Sequence, residues 1–459
     1  MFSKKSLLMT TLALAVPSIL QNLVANLSQM VDNLMIGSLQ EAAISGVTIT
    51  NQIYFIFMIV LFGIGGAAGI YMPQFKGIND KNRFAQAFRI SLVFSMAVGV
   101  LFFVVLHFFP DILLRLFASE TAVIDYAHEY LIFIGFSFLV FPISAAIGNA
   151  LRFDGYIRLP LYISLVTVAL NVVLNYLFIF GNGGFATMGV VGAGLATLIA
   201  RILEAVIYIA MTFILRTDIK TLPTQVFSFE KELLVNFVKK GYGLVANEFF
   251  WSLGMQTLAV LYTKRISENI AAMSISNAIG NMIFVGMGGM SVAISIILGK
   301  HLGQGKFQEA KNDARKLRKY TSLTGLFLGV CVFLLSFLLF NFYDVAPQTL
   351  MNARYLLAIT ASFSFLFYLN ASYFFILRAG GDTKSVLFMD AGFVWLVVIP
   401  SAFLVGRTSV VLPVHVLLIN FLEFAKYLIA RWLCNKDTWL RNLTVSEGEE
   451  KLPDEAVFE

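Results

Sequence analysis

Long apolar runs, each closed by a short polar and basic break, alternate along the chain from Leu7 to Leu433. A helix needs about 20 predominantly apolar residues to cross a hydrocarbon core of about 30 Å. The breaks predict twelve such spans, over residues 8–34, 46–72, 86–109, 129–150, 158–181, 188–214, 238–262, 272–298, 318–340, 352–376, 385–404 and 411–433. Backbone exposed to lipid must satisfy its own hydrogen bonds, so each run is read as an α-helix. The first, second and eighth are long enough to tilt. The predicted fold class is an all-α polytopic membrane protein.

Composition supports the pattern. Only 13% of the 459 residues are charged, 58% are hydrophobic and 45 are Phe; mean hydropathy is +0.81. A soluble domain carries about 25% charge, so an ordinary soluble enzyme is excluded. The first apolar run is too long for the core of a cleaved signal peptide and is read as a span. Cys331 and Cys434 lie in apolar stretches, and His107, His128, His301 and His415 are scattered. No disulfide framework, zinc-ligand set or HExxH pair is visible, and no cofactor is expected.

The charges carry topology. With both termini placed in the cytoplasm, 26 of the 33 Lys and Arg fall in cytoplasmic segments, five in outside loops and two, Arg201 and Lys426, within helices. This is a strong positive-inside bias. It predicts a multi-pass protein of the cell inner (plasma) membrane with the lipid bilayer as partner, and removes the case for a nucleic-acid partner that the net charge of +6 could have suggested. The acidic tail from Ser446 is expected to be disordered.

The chain also repeats itself. Gly77 and Gly303 follow spans two and eight; Leu151-Arg152 with Gly155, and Leu377-Arg378 with Gly381, follow spans four and ten. Each correspondence is offset by 226 residues, as are Gly63 and Gly289 in the small-residue runs of spans two and eight. Two homologous six-helix lobes are predicted: residues 1–215 and 238–434, joined by a cytoplasmic linker at 216–237, with the tail at 435–459. Six is even, so the lobes share an orientation and are expected to be related by a pseudo-two-fold axis along the membrane normal.

These features resemble the MATE (multidrug and toxic compound extrusion) family. The residues carrying the resemblance are Val31-Asp32-Asn33 with Gly37, Asn171 through Asn175 with Phe180-Gly181, Gly189-Val190-Val191-Gly192-Ala193-Gly194, and Leu377-Arg378 with Gly381-Asp382-Thr383. The resemblance extends over about residues 8–433. It implies a secondary active antiporter, not an enzyme, exporting organic and often cationic drug-like compounds in exchange for Na⁺ or H⁺ by alternating access of two lobes. A monomer is expected.

An acid inside the bilayer is a functional candidate by default. Asp32 adjoins a polar stripe of Asn22, Asn26, Gln29 and Asn33 at helical spacing; in the family the aspartate here belongs to the N-lobe cation site. Asn171 and Asn175 are four apart and share one helix face. DinF-like members carry aspartate at the position of Asn175, so the chain is closer to NorM-like members here. Glu248 lies about 15 Å into span seven, near the midplane. NorM-like members place a glutamate of a Na⁺ site in this helix, but their partner aspartate of span ten has no counterpart: this chain offers Tyr368 and Asn370. Asp390 in span eleven is expected to supply the missing charge by pairing with Glu248; the competing reading pairs it with Lys384. Na⁺ is therefore expected at Glu248, Asp390 or Asp32. Arg201 with Glu204, and Glu423 with Lys426, are read as local i,i+3 ion pairs. Gln29, Tyr54 and Trp251 are candidates for the substrate-cavity wall, where aromatic faces hold an organic cation. The alternative function is a lipid-linked oligosaccharide flippase with the same two-lobe plan, for which a basic cavity is expected.

Overall fold

The computed structural model describes residues 6–445, except 38, 118–119, 216, 264–266, 344 and 409. Lys4, Lys5, Arg216, Lys264, Arg265, Lys451 and the acidic tail from Ser446 lie outside the described residues. The rest form helices α1 (Leu7–Gly37), α2 (Glu41–Gly77), α3 (Lys81–Phe108), α4 (Pro110–Phe117), α5 (Thr121–Asp154), α6 (Leu159–Phe180) and α7 (Gly189–Ile214). They continue with α8 (Lys231–Thr263), α9 (Ser267–Gly303), α10 (Phe307–Leu339), α11 (Pro347–Ala379), α12 (Thr383–Val405) and α13 (Leu412–Asn435).

Among the described residues eleven helices, all but α4 and α8, are long and apolar enough to cross a membrane. The fold is that of an all-α polytopic membrane protein. Helix α8 contains the expected seventh span, but Lys231, Glu232, Lys239, Lys240 and Glu248 dilute its apolar character. The short α4 was not expected from the sequence. On α10, Phe327, Val330, Leu334, Phe337 and Leu338 recur at helical spacing and are all exposed. Such a face suits lipid and not water.

The packing forms two compact units. One comprises Met1–Ile19, Gly69–Asn79 and Tyr242–Glu459; the other comprises Leu20–Ala68 and Asp80–Gly241. In the first, Ile275, Ile279 and Ile283 of α9 pack with Val332 of α10, Leu357 of α11 and Val416 of α13. In the second, the ring of Phe57, fully buried, lies 4.8 Å from that of Phe138 and 5.3 Å from that of Phe102.

The repeat is visible in the turns. Helix α5 ends at Gly155 with φ +108, where the Gly155 N–H bonds the Arg152 carbonyl and the Tyr156 N–H reaches the Leu151 carbonyl at 2.8 Å. After α11 the Gly381 N–H bonds the Arg378 carbonyl at 2.9 Å and the Asp382 N–H reaches Leu377 at 3.0 Å, with Gly381 at φ +74. Glycine suits both because a residue with a Cβ is strained at positive φ.

Two segments outside the long helices are tied down by polar contacts. In the stretch before α8, Glu230 and Gln86 of α3 exchange hydrogen bonds of 2.8 and 3.1 Å, and Asp218 pairs with Lys81 at 3.3 Å. After α13 the chain does not leave the fold at once. Trp439 is buried, the Leu443 N–H donates to Gln74 Oε1 at 2.9 Å, and Asn442 donates to the Gly303 carbonyl at 3.2 Å. Gln74, itself buried, also donates to the Ala379 carbonyl at 3.4 Å.

Candidate functional site

In the second unit Asp32 of α1 meets the paired amides of α6. Asn171 and Asn175 lie one helical turn apart and are both buried. Asn175 Nδ2 donates to Asp32 Oδ1 at 2.6 Å and to Asn171 Oδ1 at 3.4 Å. Asn171 Nδ2 continues the chain to the Thr197 hydroxyl of α7 at 3.4 Å. The sequence expectation that Asp32, Asn171 and Asn175 converge therefore matches the geometry. Asn175 Oδ1 is buried and, among the described residues, has no hydrogen-bond partner. A buried carbonyl oxygen without a donor is a strong acceptor left open.

The expected Arg201–Glu204 pair forms beside this group, at 2.9 Å. Arg201 also lies 4.4 Å from the centre of the Phe141 ring and donates to the Tyr54 hydroxyl at 3.4 Å. Tyr54 is thus held among Phe57, Phe138 and Phe141. Arg201 acts on Asp32 electrostatically, while its direct carboxylate partner is Glu204. Gln29 is exposed and Trp251 half-buried.

The first unit holds a second charged group. Asp390 Oδ1 accepts from Lys426 Nζ of α13 at 2.8 Å and Oδ2 from Asn247 Nδ2 of α8 at 3.2 Å. Asn247 is fully buried, and its Oδ1 accepts the Ala391 N–H at 3.2 Å, so one amide clamps both the carboxylate and its backbone. Here α12 runs as two π-helical turns, Phe388–Gly392 and Val394–Val398. The wider turn loosens the regular ladder, and such turns recur at functional sites. The Trp395 indole N–H donates to the Phe250 carbonyl at 2.8 Å and fixes α12 against α8.

Glu248, half-buried, has Arg378 and Asp390 as its charged neighbours. Arg378 is buried and donates to the Ser291 hydroxyl. Asp390 does not take the expected partner Glu248: its two oxygens go to Lys426, its direct ion pair, and to Asn247. Nor is its ion-pair partner Lys384. Sequence reasoning assigned Lys426 to Glu423, three residues away, and missed Asp390. Glu423 instead accepts from Asn370 Nδ2 at 2.7 Å. The signal that could have found the pair was a lone lysine deep in a span, which demands an acid from another helix. Among the described residues no group of three or more His, Cys, Asp or Glu is placed to hold a metal ion. The donors around Asp32 are of another kind, one carboxylate with amide oxygens, which suits a hard monovalent cation or a proton.

A family model described as MatE matches the chain twice, over residues 17–177 and 244–404. The probable multidrug resistance protein NorM of Thermotoga maritima is 26% identical over 86% of this chain and 84% of its own length. The probable multidrug resistance protein YoeA of Bacillus subtilis is 25% identical over 88% of each. Among solved structures, an outward-facing multidrug resistance MATE family transporter of the MOP superfamily has a TM-score of 0.83 at 16% identity, covering 93% of this chain and 96% of that one. A MOP superfamily transporter from Pyrococcus furiosus, described as having a binding pocket of reverse polarity, has a TM-score of 0.84 at 17% identity, covering 93% and 95%.

Proposed function

The chain belongs to the MatE family, and from that premise we propose that it is a secondary active antiporter that exports organic, cationic, drug-like compounds in exchange for Na⁺ or H⁺. The coupling centre is Asp32 with Asn171 and Asn175. The observation that carries this reading is the open Oδ1 of Asn175, on the same amide whose nitrogen bonds the Asp32 carboxylate. A cation arriving at Asp32 meets negative charge and an uncommitted carbonyl oxygen. Arg201 is neutralised by Glu204, so it does not occupy Asp32 directly.

Coupling requires that the cation favour one conformation and the substrate another. The two lobes, residues 1–215 and 238–434 about the linker 216–237, are proposed to supply those conformations as a monomer in the inner (plasma) membrane with both termini cytoplasmic. Gln29, Tyr54 and Trp251 are proposed as substrate contacts. At the amide position of α6 the chain follows the NorM-like pattern, since Asn175 stands where DinF-like members carry aspartate.

The test is uptake of a fluorescent organic cation into inverted membrane vesicles under an imposed Na⁺ gradient and, separately, an H⁺ gradient. Uptake that follows one gradient identifies the coupling ion. Undiminished gradient-driven transport by Asp32→Asn would defeat the reading. Uptake of no organic cation under either gradient, with flipping of a lipid-linked oligosaccharide, would replace it with the flippase function.

A further inference from the structure

The two acid groups differ in what holds them. At Asp32 the nearest donor is a neutral amide. At Asp390 it is an ammonium: Lys426 Nζ sits 2.8 Å from Oδ1, with the side chains only 11% and 15% exposed. Both Asp390 oxygens are engaged, one by Lys426 and one by Asn247. Glu423 adds a second negative charge acting on Lys426. The ammonium therefore lies against one oxygen of Asp390, bridging α13 to α12, while the α8 amide holds the other oxygen. Arg378 is the base acting on Glu248 in the same unit. Glu248 and Asp390 of this unit thus each have a base acting on them.

We propose that Lys426 is a built-in counter-cation: its ammonium fills a monovalent-cation site on Asp390 and withholds that acid from the coupling ion, so that cation exchange is confined to Asp32. The proposal rests on the coupling reading above and adds a specificity-determining residue to it. Its physical basis is direct. A Na⁺ entering at Asp390 must first displace the ammonium, leaving a lysine unpaired inside the membrane, which is strongly unfavourable. At Asp32 no tethered base has to leave. Asn247 serves as the positioning residue, because it fixes the Asp390 carboxylate and the Ala391 N–H of the π-helical turn together.

The experiment measures ²²Na⁺ bound per chain by the purified full-length protein in lipid nanodiscs. Four forms are compared: Asp32→Asn alone, Asp32→Asn with Lys426→Gln, the same pair with Asp390→Asn added, and Asp32→Asn with Lys426→Arg. Removing the ammonium is expected to add one saturable Na⁺ per chain over Asp32→Asn alone. Adding Asp390→Asn is expected to abolish that gain. Lys426→Arg, which keeps the charge, is expected to show none. A merely structural ion pair predicts no gain in any form. The proposal is overturned if Lys426→Gln gains no Na⁺ while the protein elutes as a monodisperse species. It is equally overturned if the gain seen with Lys426→Gln survives the added Asp390→Asn. Failure of the coupling reading is separate, because it appears in Asp32→Asn with Lys426 intact, as gradient-driven transport equal to wild type.

Discussion

The Asp390–Lys426 pair allows an energetic prediction. At 2.8 Å and an effective dielectric of about 20, the Coulomb attraction is about 6 kcal/mol. Desolvation of the two largely buried groups offsets much of this, so the net contribution of the pair is small. Removing one partner is different, because it leaves the other charge buried and unmatched, at about 3–5 kcal/mol. Asp390→Asn and Lys426→Gln are therefore each expected to lower stability strongly. The double variant, which removes both charges of the pair, is expected to recover most of the loss. The assay is a double-mutant cycle on the purified protein, following unfolding of helix by circular dichroism with increasing sodium dodecyl sulfate. Losses that simply add, with the double variant less stable than either single one, would refute the reasoning.

Three further outcomes follow from particular contacts. Asn175→Leu removes both the donor to Asp32 and the open oxygen; about 1.5–3 kcal/mol for a hydrogen bond to a charged group converts to at least a tenfold loss of gradient-driven transport, and wild-type rates at equal membrane abundance would contradict it. Gly289→Val places a Cβ against the Ala15 carbonyl and the Ile19 side chain, whereas a Cβ at Gly280 meets only Leu357 Cδ1 at 3.6 Å; Gly289→Val is expected to destabilise by about 1–3 kcal/mol and Gly280→Ala to be tolerated, as read by detergent thermostability. Truncation before Ser446 is expected to leave stability intact, whereas truncation before Trp439 removes a buried indole and the Leu443–Gln74 bond and lowers the melting temperature; equal melting temperatures would refute the packing role.

The spans were legible because lipid imposes a long apolar run on every crossing helix. The repeat was legible because Gly155 and Gly381 must both close a left-handed turn, which keeps glycine at a fixed offset. Asp32 with Asn171 and Asn175 was legible because α1 and α6 each display their polar residues on one face. Lys426 was not, since sequence spacing reports neighbours within a helix and its partner lies 36 residues away across a helix pair. The π-helical turns of α12 had no sequence signature in an apolar run. The packed stretch around Trp439 was hidden in a segment whose charge and polarity suggested only a tail, although one buried indole is enough to anchor it.

The central claim is that Asp32 couples cation flow to export. Its most direct test compares wild type and Asp32→Asn, at matched abundance in inverted vesicles, for uptake of a fluorescent organic cation under the driving gradient. The account predicts that Asp32→Asn takes up the cation no faster than wild type does without a gradient. Gradient-driven uptake by Asp32→Asn at the wild-type rate would contradict it.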